Sequence, residues 1–481
     1  KKRAERSASY FHKTYISEKS FSREGVMDNK KYYDRTILKI LIPAILENAM
    51  LMLSDMILTG YIGRLSVTEI SAFGIAGRIY SIYFAIFKGF AIGMMVVFAK
   101  SIGNDRSKKE LCLLYRQALL FLLPCAVISA LLIWLLPEMF LSSMTQEVSL
   151  LTSGVKFLKV NAIVYPMLAV VHLTSSIFQA DGNTKTPLYI AVIGNIVSIV
   201  FGYVFILGVG SFEGMGIVGA AITNNLRIVV MFFIGLHLLF GKNGVLADYS
   251  SKKMPFDFKA FKELIIFGVP TAIGNSFWNF AALFLSNFIL SYGESYFAAY
   301  QLGLQCEGFC DMMASGFLTA AASLSGKAIG SNDEIAYKKS YERLRHYCLI
   351  IMCITMLFLA VLSRTVLCML TDKVELVSIA HVYLLLMILS QFPEQMTKIL
   401  CGFIRSAGHS SIPTIIDMIG IWGVRVFLCY LASNVLHLSI IWIWIIIDLD
   451  QWVRYLLSRI CFKRYKVIDF LSCNNQIISD E

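Results

Sequence analysis

Long apolar stretches recur along the whole chain, and they constrain its fold more than any other feature. A helix that crosses a bilayer needs about 20 mostly apolar residues, and the sequence meets this requirement repeatedly between short polar breaks. Hydrophobic residues make up 57% of the chain and charged residues only 16%, so lipid must solvate most of the apolar side chains. Twelve spans are predicted, near residues 37–61, 70–98, 117–140, 152–178, 187–209, 215–240, 260–291, 298–325, 343–370, 376–403, 412–434 and 437–460.

Basic residues are concentrated in alternate loops. The net charge of +11 is compatible with a nucleic-acid partner, but the placement of the charges argues against one. The segment before the first span and every second loop after it carry most of the Lys and Arg residues, whereas the opposite loops hold little beyond Arg64, Arg364 and Lys373. By the positive-inside rule both termini are cytoplasmic, which requires an even number of spans. Charge and hydropathy therefore agree on a multi-pass protein of the cell membrane with twelve spans.

The second half of the chain repeats the first. Pro43 and Asn48 have counterparts 227 positions later, at Pro270 and Asn275. The same displacement matches Gly89 with Gly316, Lys100 with Lys327, Gly103 with Gly330, and Pro166 with Pro393. A displacement of 226 then matches Gly182 with Gly408, Pro187 with Pro413, and Gly194 with Gly420. Each half holds six spans, an even number, so the two copies share one orientation about an axis along the membrane normal.

This duplication predicts an all-α integral membrane protein with twelve transmembrane helices in two pseudo-symmetric six-helix bundles. In transporters with parallel repeats, the solute site lies near the midplane between the halves. The predicted divisions are a cytoplasmic tail (1–35), a first half (36–240), a cytoplasmic linker (241–258), a second half (259–462) and a second cytoplasmic tail (463–481).

Short motifs follow one another in a defined order through both halves. They are Pro43 with Asp55–Gly60, then Gln179–Pro187, Gly216–Ala221, Gly402–Gly408 with Pro413, Trp422–Arg425 and Asp450–Arg454. From about Ile37 to Lys466 the chain resembles the multidrug and toxin extrusion (MATE) family. The resemblance implies a V-shaped pair of bundles that alternates between outward and inward access. It also implies ion-gradient-driven antiport, in which organic cations or amphipathic drugs leave as Na⁺ or H⁺ enters, with no cofactor beyond the gradient.

Carboxylates within the predicted spans are the first candidates for cation coupling. An ionised group at the helix centre costs at least about 2.5–3.5 kcal/mol, so each one needs a partner or a function. Glu394 lies in the run from Gln391 to Glu394, which is similar to the acidic position of the family's tenth span. It would exchange a proton or a transient Na⁺ for a cationic substrate. The alternative is a structural ion pair with Lys398, one helical turn away.

Asp55 is similar to the acid that the family carries on its first span, and it is a second candidate for coupling or for transient Na⁺. The family's companion positions on the fifth span correspond here to Gly202 and Ser198, with Asn195 one turn further back. The acid that some members place on the seventh span corresponds to Trp278. These departures leave both of the family's cation sites incomplete in this chain.

The eighth predicted span contributes two further acids. Glu307 and Asp311 are one turn apart on one helical face, so they predict a cation site made by two like charges; the alternative is a salt bridge to another helix. Lys88, near the middle of the second span, needs a partner of its own, because an unpaired ammonium is costly there. The predicted partner is Asp55 or Glu47 of the same half.

The substrate class stays open between two transport functions. A flat organic cation would stack on aromatic side chains, of which the candidates are Tyr80, Tyr83, Phe84, Trp278, Phe280 and Tyr300. The alternative is a flippase or exporter of lipid-linked or peptidic material, whose anionic groups would meet Lys88 and Arg78. An enzyme is not predicted, because the sequence has no nucleophile motif, zinc-type His pair or phosphate-binding glycine loop. We expect a monomer with a small organic substrate and no metal beyond transient Na⁺.

Overall fold

The computed structural model of this chain is almost entirely helical, and it describes residues 23–104, 108–142, 147–241, 244–247, 256–465 and 467. The first half consists of α1 (Arg23–Ile62), α2 (Val67–Gly103), α3 (Lys108–Leu135), α4 (Pro137–Ser142), α5 (Val148–Ala162), α6 (Tyr165–Ala180), α7 (Lys185–Gly202) and α8 (Gly216–Phe240). One π-helical turn (Tyr203–Leu207) prolongs α7 into an antiparallel hairpin of two-residue strands, β1 (Gly208–Val209) and β2 (Phe212–Glu213).

The second half has the same succession of long helices. It consists of α9 (Phe258–Leu290), α10 (Glu294–Gly330), α11 (Glu334–Leu357), α12 (Ser363–Leu370), α13 (Val374–Met387), α14 (Gln391–Ser406), α15 (Ser411–Asp417), α16 (Phe427–Tyr430) and α17 (Ile440–Arg464). The π-helical segments Phe358–Leu362 and Met418–Val426 join α11 to α12 and α15 to α16, and a third, Leu431–Val435, prolongs α16.

These helices make twelve membrane crossings. Eight rods are long and apolar enough to span a bilayer, and two bent pairs, α5 with α6 and α13 with α14, bring the number to ten. The remaining two crossings are α10 and α17, which are 37 and 25 residues long but carry acids in their centres. The sequence predicts the two bent pairs as continuous spans; the structure instead bends them by 52° and 51°, just before Pro166 and Pro393.

The predicted tails and linker are only partly covered by the structure. Helix α1 begins at Arg23, inside the segment that the sequence assigns to the first tail. Residues 1–22 lie outside the described part of the chain, as do residues 242–243 and 248–255 of the linker and residues 466 and 468–481 of the second tail.

The two halves pack against each other through a symmetric set of glycines. The backbone of Lys327 lies directly against Gly103, and the backbone of Lys100 lies against the duplicated glycine, Gly330. Further along α2, a Cβ on Gly89 would approach the Cα of Ala272 to 2.7 Å, so only glycine permits this contact between α2 and α9. We call the end where α2 and α10 terminate the closed end, and the opposite end the cavity end.

Polar contacts also join the halves near the closed end. The Ser323 hydroxyl of α10 donates to the backbone oxygen of Gln179 at 2.7 Å. The Lys327 ammonium lies 3.9 Å from the Asp181 carboxylate, which immediately follows α6. The motif Gln179–Pro187 therefore helps to hold the first half against α10 of the second.

Candidate transport site

A cavity of about 440 Å³ separates the halves toward the cavity end. Helices α1, α2, α5 and α8 line it on one side, and α9 and α10 line it on the other. Its volume lies in the range of small-molecule sites. The lining combines aromatic rings with amides, namely Phe73, Tyr80, Phe157, Trp278, Tyr300, Asn161, Asn224, Asn279 and Gln301. Such a surface offers stacking faces together with hydrogen-bond donors and acceptors.

Asp55 lies in the wall of this cavity, paired with an arginine. The Arg227 guanidinium of α8 donates from Nη1 to Oδ1 of Asp55 at 2.9 Å. The Arg227 side chain is 8% exposed, whereas the Asp55 side chain is 64% exposed. Asp55 is thus the counter-ion of a buried arginine and still presents its other oxygen to the cavity. The partner of Asp55 is therefore not Lys88. Arg227 is absent from the predicted site residues, although a lone arginine inside a predicted span is a signal that could have identified it.

Arg78 also lines the cavity, from α2. Among the described residues, it has no carboxylate within salt-bridge distance, and its charge acts on the hydroxyl of Tyr300 across the cavity. The lining therefore holds two arginines, Arg78 and Arg227, against one carboxylate, Asp55.

Lys88 and Glu47 lie deeper, near the middle of the bundle, without forming a direct pair. The Lys88 ammonium donates to Oδ1 of Asn48 at 3.3 Å and lies 5.7 Å from the centre of the Phe84 ring. Glu47 is buried and accepts from Nε2 of Gln179 at 3.0 Å. Asp311 of the second half attracts Lys88 electrostatically, as does Glu47. The predicted partners of Lys88 lay in its own half because helical spacing carries no information on which helices face each other.

Three acids of the second half form a cluster, which we call the acid cluster: Glu307, Asp311 and Glu394. Glu394 is 7% exposed, and its Oε2 has no hydrogen-bond partner among the described residues. The charges of Asp311, Glu307 and Lys398 act on it. The Lys398 ammonium lies 3.8 Å from Oδ1 of Asp311, so the lysine predicted as the alternative partner of Glu394 is closest to a different acid.

The third acid, Glu307, has a fixed donor. The Tyr383 hydroxyl of α13 donates to Oε2 of Glu307 at 2.6 Å. Gln391 is fully buried one turn before Glu394, and its Nε2 donates to the backbone oxygen of Met387 at 3.4 Å. The acid cluster thus lies among α10, α13 and α14 of one half.

The other predicted site residues are dispersed. Trp278 lines the cavity, whereas Asn275 on the same helix packs against Gly89 at the contact between the halves. Asn195 is buried on α7, and neither of its side-chain polar atoms has a hydrogen-bond partner among the described residues. Ser198 is likewise buried. Neither residue is an acid, and α7 contributes no carboxylate beside Asp55.

A second group of charges in the second half consists of acids and arginines in ion pairs. Asp450 of α17 is completely buried and accepts from Nε and Nη2 of Arg454, each at 3.1 Å. Nη2 of Arg425 lies 2.8 Å from Oδ2 of Asp450, and Nη1 of Arg454 lies 3.4 Å from Oδ1 of Asp417. Arg425, in the π-helical segment between α15 and α16, thus ties this rod to α17.

Metal ligation has no ready-made site in the described ranges. Within them, no group of three or more His, Cys, Asp or Glu side chains could hold an ion. The transient Na⁺ expected at Glu394 or Asp55 stays a prediction.

The duplicated bundles and the cavity between them define a membrane transporter. The chain belongs to the MatE family, whose model matches residues 43–204 and 270–431. The two matched segments begin at Pro43 and Pro270, the prolines of the predicted repeat. The family consists of transporters, and the prediction that the chain is not an enzyme is confirmed.

Relatives of known sequence align with this chain over nearly its whole length. The probable multidrug resistance protein NorM of Thermotoga maritima is 23% identical over 440 residues, which cover 89% of this chain and 92% of that protein. The uncharacterized transporter YisQ of Bacillus subtilis is 21% identical over 432 residues, covering 89% and 94%.

Solved structures share the fold. An outward-facing multidrug resistance MATE family transporter of the MOP superfamily superposes with a TM-score of 0.81 at 17% identity, over 91% of this chain and 96% of that chain. A MOP superfamily transporter of Pyrococcus furiosus gives a TM-score of 0.80 at 16% identity, with the same two coverages. The predicted family and the two bundles of six transmembrane helices are therefore confirmed.

Proposed function

We propose that this protein exports amphipathic organic solutes across the cell membrane as a monomer, by alternating access driven by a Na⁺ or H⁺ gradient. The observation that carries the proposal is the pairing of a cavity at one end with a glycine-mediated contact between the halves at the other. Rocking of one half against the other would close the cavity as it separates the halves at the closed end.

The charges at the closed end support an assignment of which side of the membrane the cavity faces. The loops that follow α2 and α10 lie at this end, and they belong to the basic set of loops. By the positive-inside rule this end faces the cytoplasm, together with both termini. The cavity would then face outward, which in an exporter is the state that releases substrate.

Coupling is assigned to the acid cluster of the second half. Lys88 of the first half is attracted by Asp311, which lies in that cluster, as well as by Glu47. Binding of a proton or Na⁺ to the cluster would weaken this attraction between the halves. Ion occupancy and the relative position of the halves would therefore depend on each other, which is the requirement for antiport.

An organic cation is the first candidate substrate. The exposed oxygen of Asp55 offers it a counter-charge, and the rings of Tyr80, Trp278 and Tyr300 offer stacking faces in the same cavity. Arg227 neutralises part of the Asp55 charge, so aromatic contacts would supply most of the attraction.

A substrate with an anionic group, such as a lipid-linked or peptidic molecule, is the second candidate. Arg78 favours it, because this guanidinium faces the cavity without a carboxylate partner among the described residues. A phosphate or carboxylate of the substrate would form bidentate hydrogen bonds with it.

A substrate panel in proteoliposomes tests both candidates. Cationic, zwitterionic and anionic amphiphiles are offered under separate Na⁺ and H⁺ gradients, to the wild type and to Arg78→Gln. Arg64→Gln, on the exposed loop between α1 and α2, serves as the matched control. Transport of cations that survives Arg78→Gln supports the first candidate, and selective loss of anion transport supports the second. A transport rate that is the same with and without each gradient would exclude the coupled mechanism.

A further inference from the structure

A second cavity, of about 590 Å³, lies at the closed end of the second half, away from the transport site. Helices α11, α14 and α17 form its walls. Its floor consists of buried apolar or aromatic side chains, namely Met396, Leu400, Tyr455 and Phe462. Three exposed basic residues stand at its rim, namely Arg345, Arg459 and Lys463. We call this cavity the second-half groove.

The groove opens toward lipid and not toward the cleft between the halves. Its wall residue Leu349 is 37% exposed, and the next residue on α11, Ile350, is 45% exposed. On α17, Leu456 and Ile460 beside the groove are 50% and 58% exposed. Apolar side chains exposed on both flanking helices of a membrane bundle face the acyl chains.

The charges of the groove all have one sign. Its lining contains no Asp or Glu. Among the described residues, Arg345, Arg459 and Lys463 have no carboxylate within salt-bridge distance. Basic side chains near a membrane surface often extend toward water alone, but these three converge on one apolar depression.

The first half provides an internal comparison. At the repeat displacements of 227 and 226, the three basic residues correspond to Ala118, Phe233 and His237. The region beside Ala118 is covered by the start of α9. There, Gln117 donates to the backbone oxygen of Asp257 at 3.0 Å, and Phe121 and Phe261 pack with ring centres 6.1 Å apart. The counterpart of the groove in the first half therefore has His237 in place of three basic side chains, and it is partly covered by α9.

We propose that the second-half groove binds one anionic phospholipid from the leaflet at the closed end. The phosphate meets the three basic residues, and an acyl chain lies over the floor. From Tyr341 to Leu349 the wall of α11 rises about 12 Å, long enough for a glycerophosphate group and the upper part of a chain. Basic pockets between transmembrane helices are the usual receptors for such headgroups. The site stands independently of the transport function proposed above.

Titration of the purified full chain in neutral detergent tests this site, with bound lipid counted by native mass spectrometry. Phosphatidylglycerol is compared with phosphatidylcholine. The wild type should bind one phosphatidylglycerol in preference, and the triple variant Arg345→Gln, Arg459→Gln, Lys463→Gln should lose about fivefold in affinity per charge, or about 100-fold in all. The matched control removes three basic charges elsewhere, through Arg116→Gln, Lys185→Gln and Lys262→Gln, and should bind as the wild type does.

A second variant distinguishes lipid binding in the groove from attraction by surface charge. Leu349→Trp keeps every charge but fills the groove, and it should lower phosphatidylglycerol binding at least tenfold. Equal losses in the triple variant and its control, or full binding by Leu349→Trp, would overturn the proposal in favour of nonspecific attraction. Binding that appears only after deletion of residues 468–481 would also overturn it, because the chain's own C-terminal segment would then be the occupant.

Discussion

The two halves share their backbone geometry but differ in how their acidic side chains are paired. Thr184 donates to the backbone oxygen of Ile40 at 3.0 Å, and its counterpart Ser410 donates to that of Ile266 at 2.6 Å, so the duplication preserves even single hydrogen bonds. In the first half, Asp55 is held by Arg227. In the second half, Glu394 is buried with one oxygen lacking a partner among the described residues. Architecture was therefore kept after duplication, whereas the ionisable groups diverged.

The second half itself contains both kinds of acid. Asp450 is completely buried between Arg425 and Arg454, and three short contacts hold it in place. The acid cluster, in contrast, gathers the like charges of Asp311 and Glu307 around Glu394, and its nearest ion pair joins Lys398 to Asp311 and not to Glu394. The charge of a carboxylate with several fixed donors is compensated where it lies, whereas that of a carboxylate among other acids is not. This difference separates a structural acid from one suited to coupling.

Asp450→Asn should give the largest loss of stability. It leaves two buried guanidinium groups without their shared counter-charge, which should lower the free energy of unfolding by about 3–5 kcal/mol. Thermal unfolding of the purified protein in detergent measures the loss. Asp417→Asn is the matched control, because Asp417 lies 3.4 Å from Arg454 at the edge of the network, and it should cost only about 1 kcal/mol. Equal costs for both would show that Asp450 is not the centre of the network.

Glu394→Gln should abolish coupled export without unfolding the protein. The amide keeps the size of the carboxyl group but cannot bind or release a proton, so gradient-driven transport should fall about 100-fold, which corresponds to about 2.8 kcal/mol. Vesicle transport under imposed Na⁺ and H⁺ gradients is the measurement. Glu342→Gln, on the exposed face of α11, removes an acid outside the cluster and should transport normally. A Glu394→Gln protein that still concentrates substrate would contradict the coupling role.

Asp55 and Arg227 should behave as an energetic unit. Asp55→Asn keeps a hydrogen-bond acceptor but removes the counter-charge of a buried arginine, at a cost of about 2 kcal/mol in unfolding free energy. Adding Arg227→Gln should restore much of this loss, because no unpaired charge then remains. A double-mutant cycle on thermal stability measures the coupling. Strictly additive losses would mean that the pair contributes nothing as a pair.

Much of the fold follows from hydropathy and repetition. Helix length and charge bias predict the crossings because lipid forces every backbone polar group into a helix. The bends before Pro166 and Pro393 escape this reasoning, since hydropathy gives the length of an apolar stretch and not whether its helix is straight. The sequence shows where the two prolines lie, but it does not predict that the helices break just before them.

Partners of the charged residues were much harder to predict. Asp55 and Arg227 are 172 positions apart, and their contact depends on how α1 packs against α8. Lys398 stands one turn from Glu394 along the chain, yet its closest acid is Asp311 on the facing helix. Local spacing limits the partners that a side chain can reach, but tertiary packing selects among them. The acids themselves were found because charge is rare inside a span.

Tyr383→Phe should give the smallest effect, and it tests whether Glu307 acts with Glu394 or only packs beside it. The variant removes the hydroxyl that donates to Glu307 at 2.6 Å while keeping the aromatic ring against Tyr300 and Trp444. Loss of one hydrogen bond costs about 1 kcal/mol. If Glu307 takes part in coupling, this cost should appear as about a fivefold shift in the ion concentration that half-saturates transport.

The matched control for Tyr383→Phe is Tyr296→Phe, which removes a hydroxyl at the cavity end of α10, away from the acid cluster. It should leave the ion dependence unchanged. A Tyr383→Phe protein that loses stability but keeps the wild-type ion dependence would assign Glu307 to the structural acids, beside Asp450. The coupling function would then rest on Glu394 and Asp311, the two acids of the cluster that lack a tyrosine donor among the described residues.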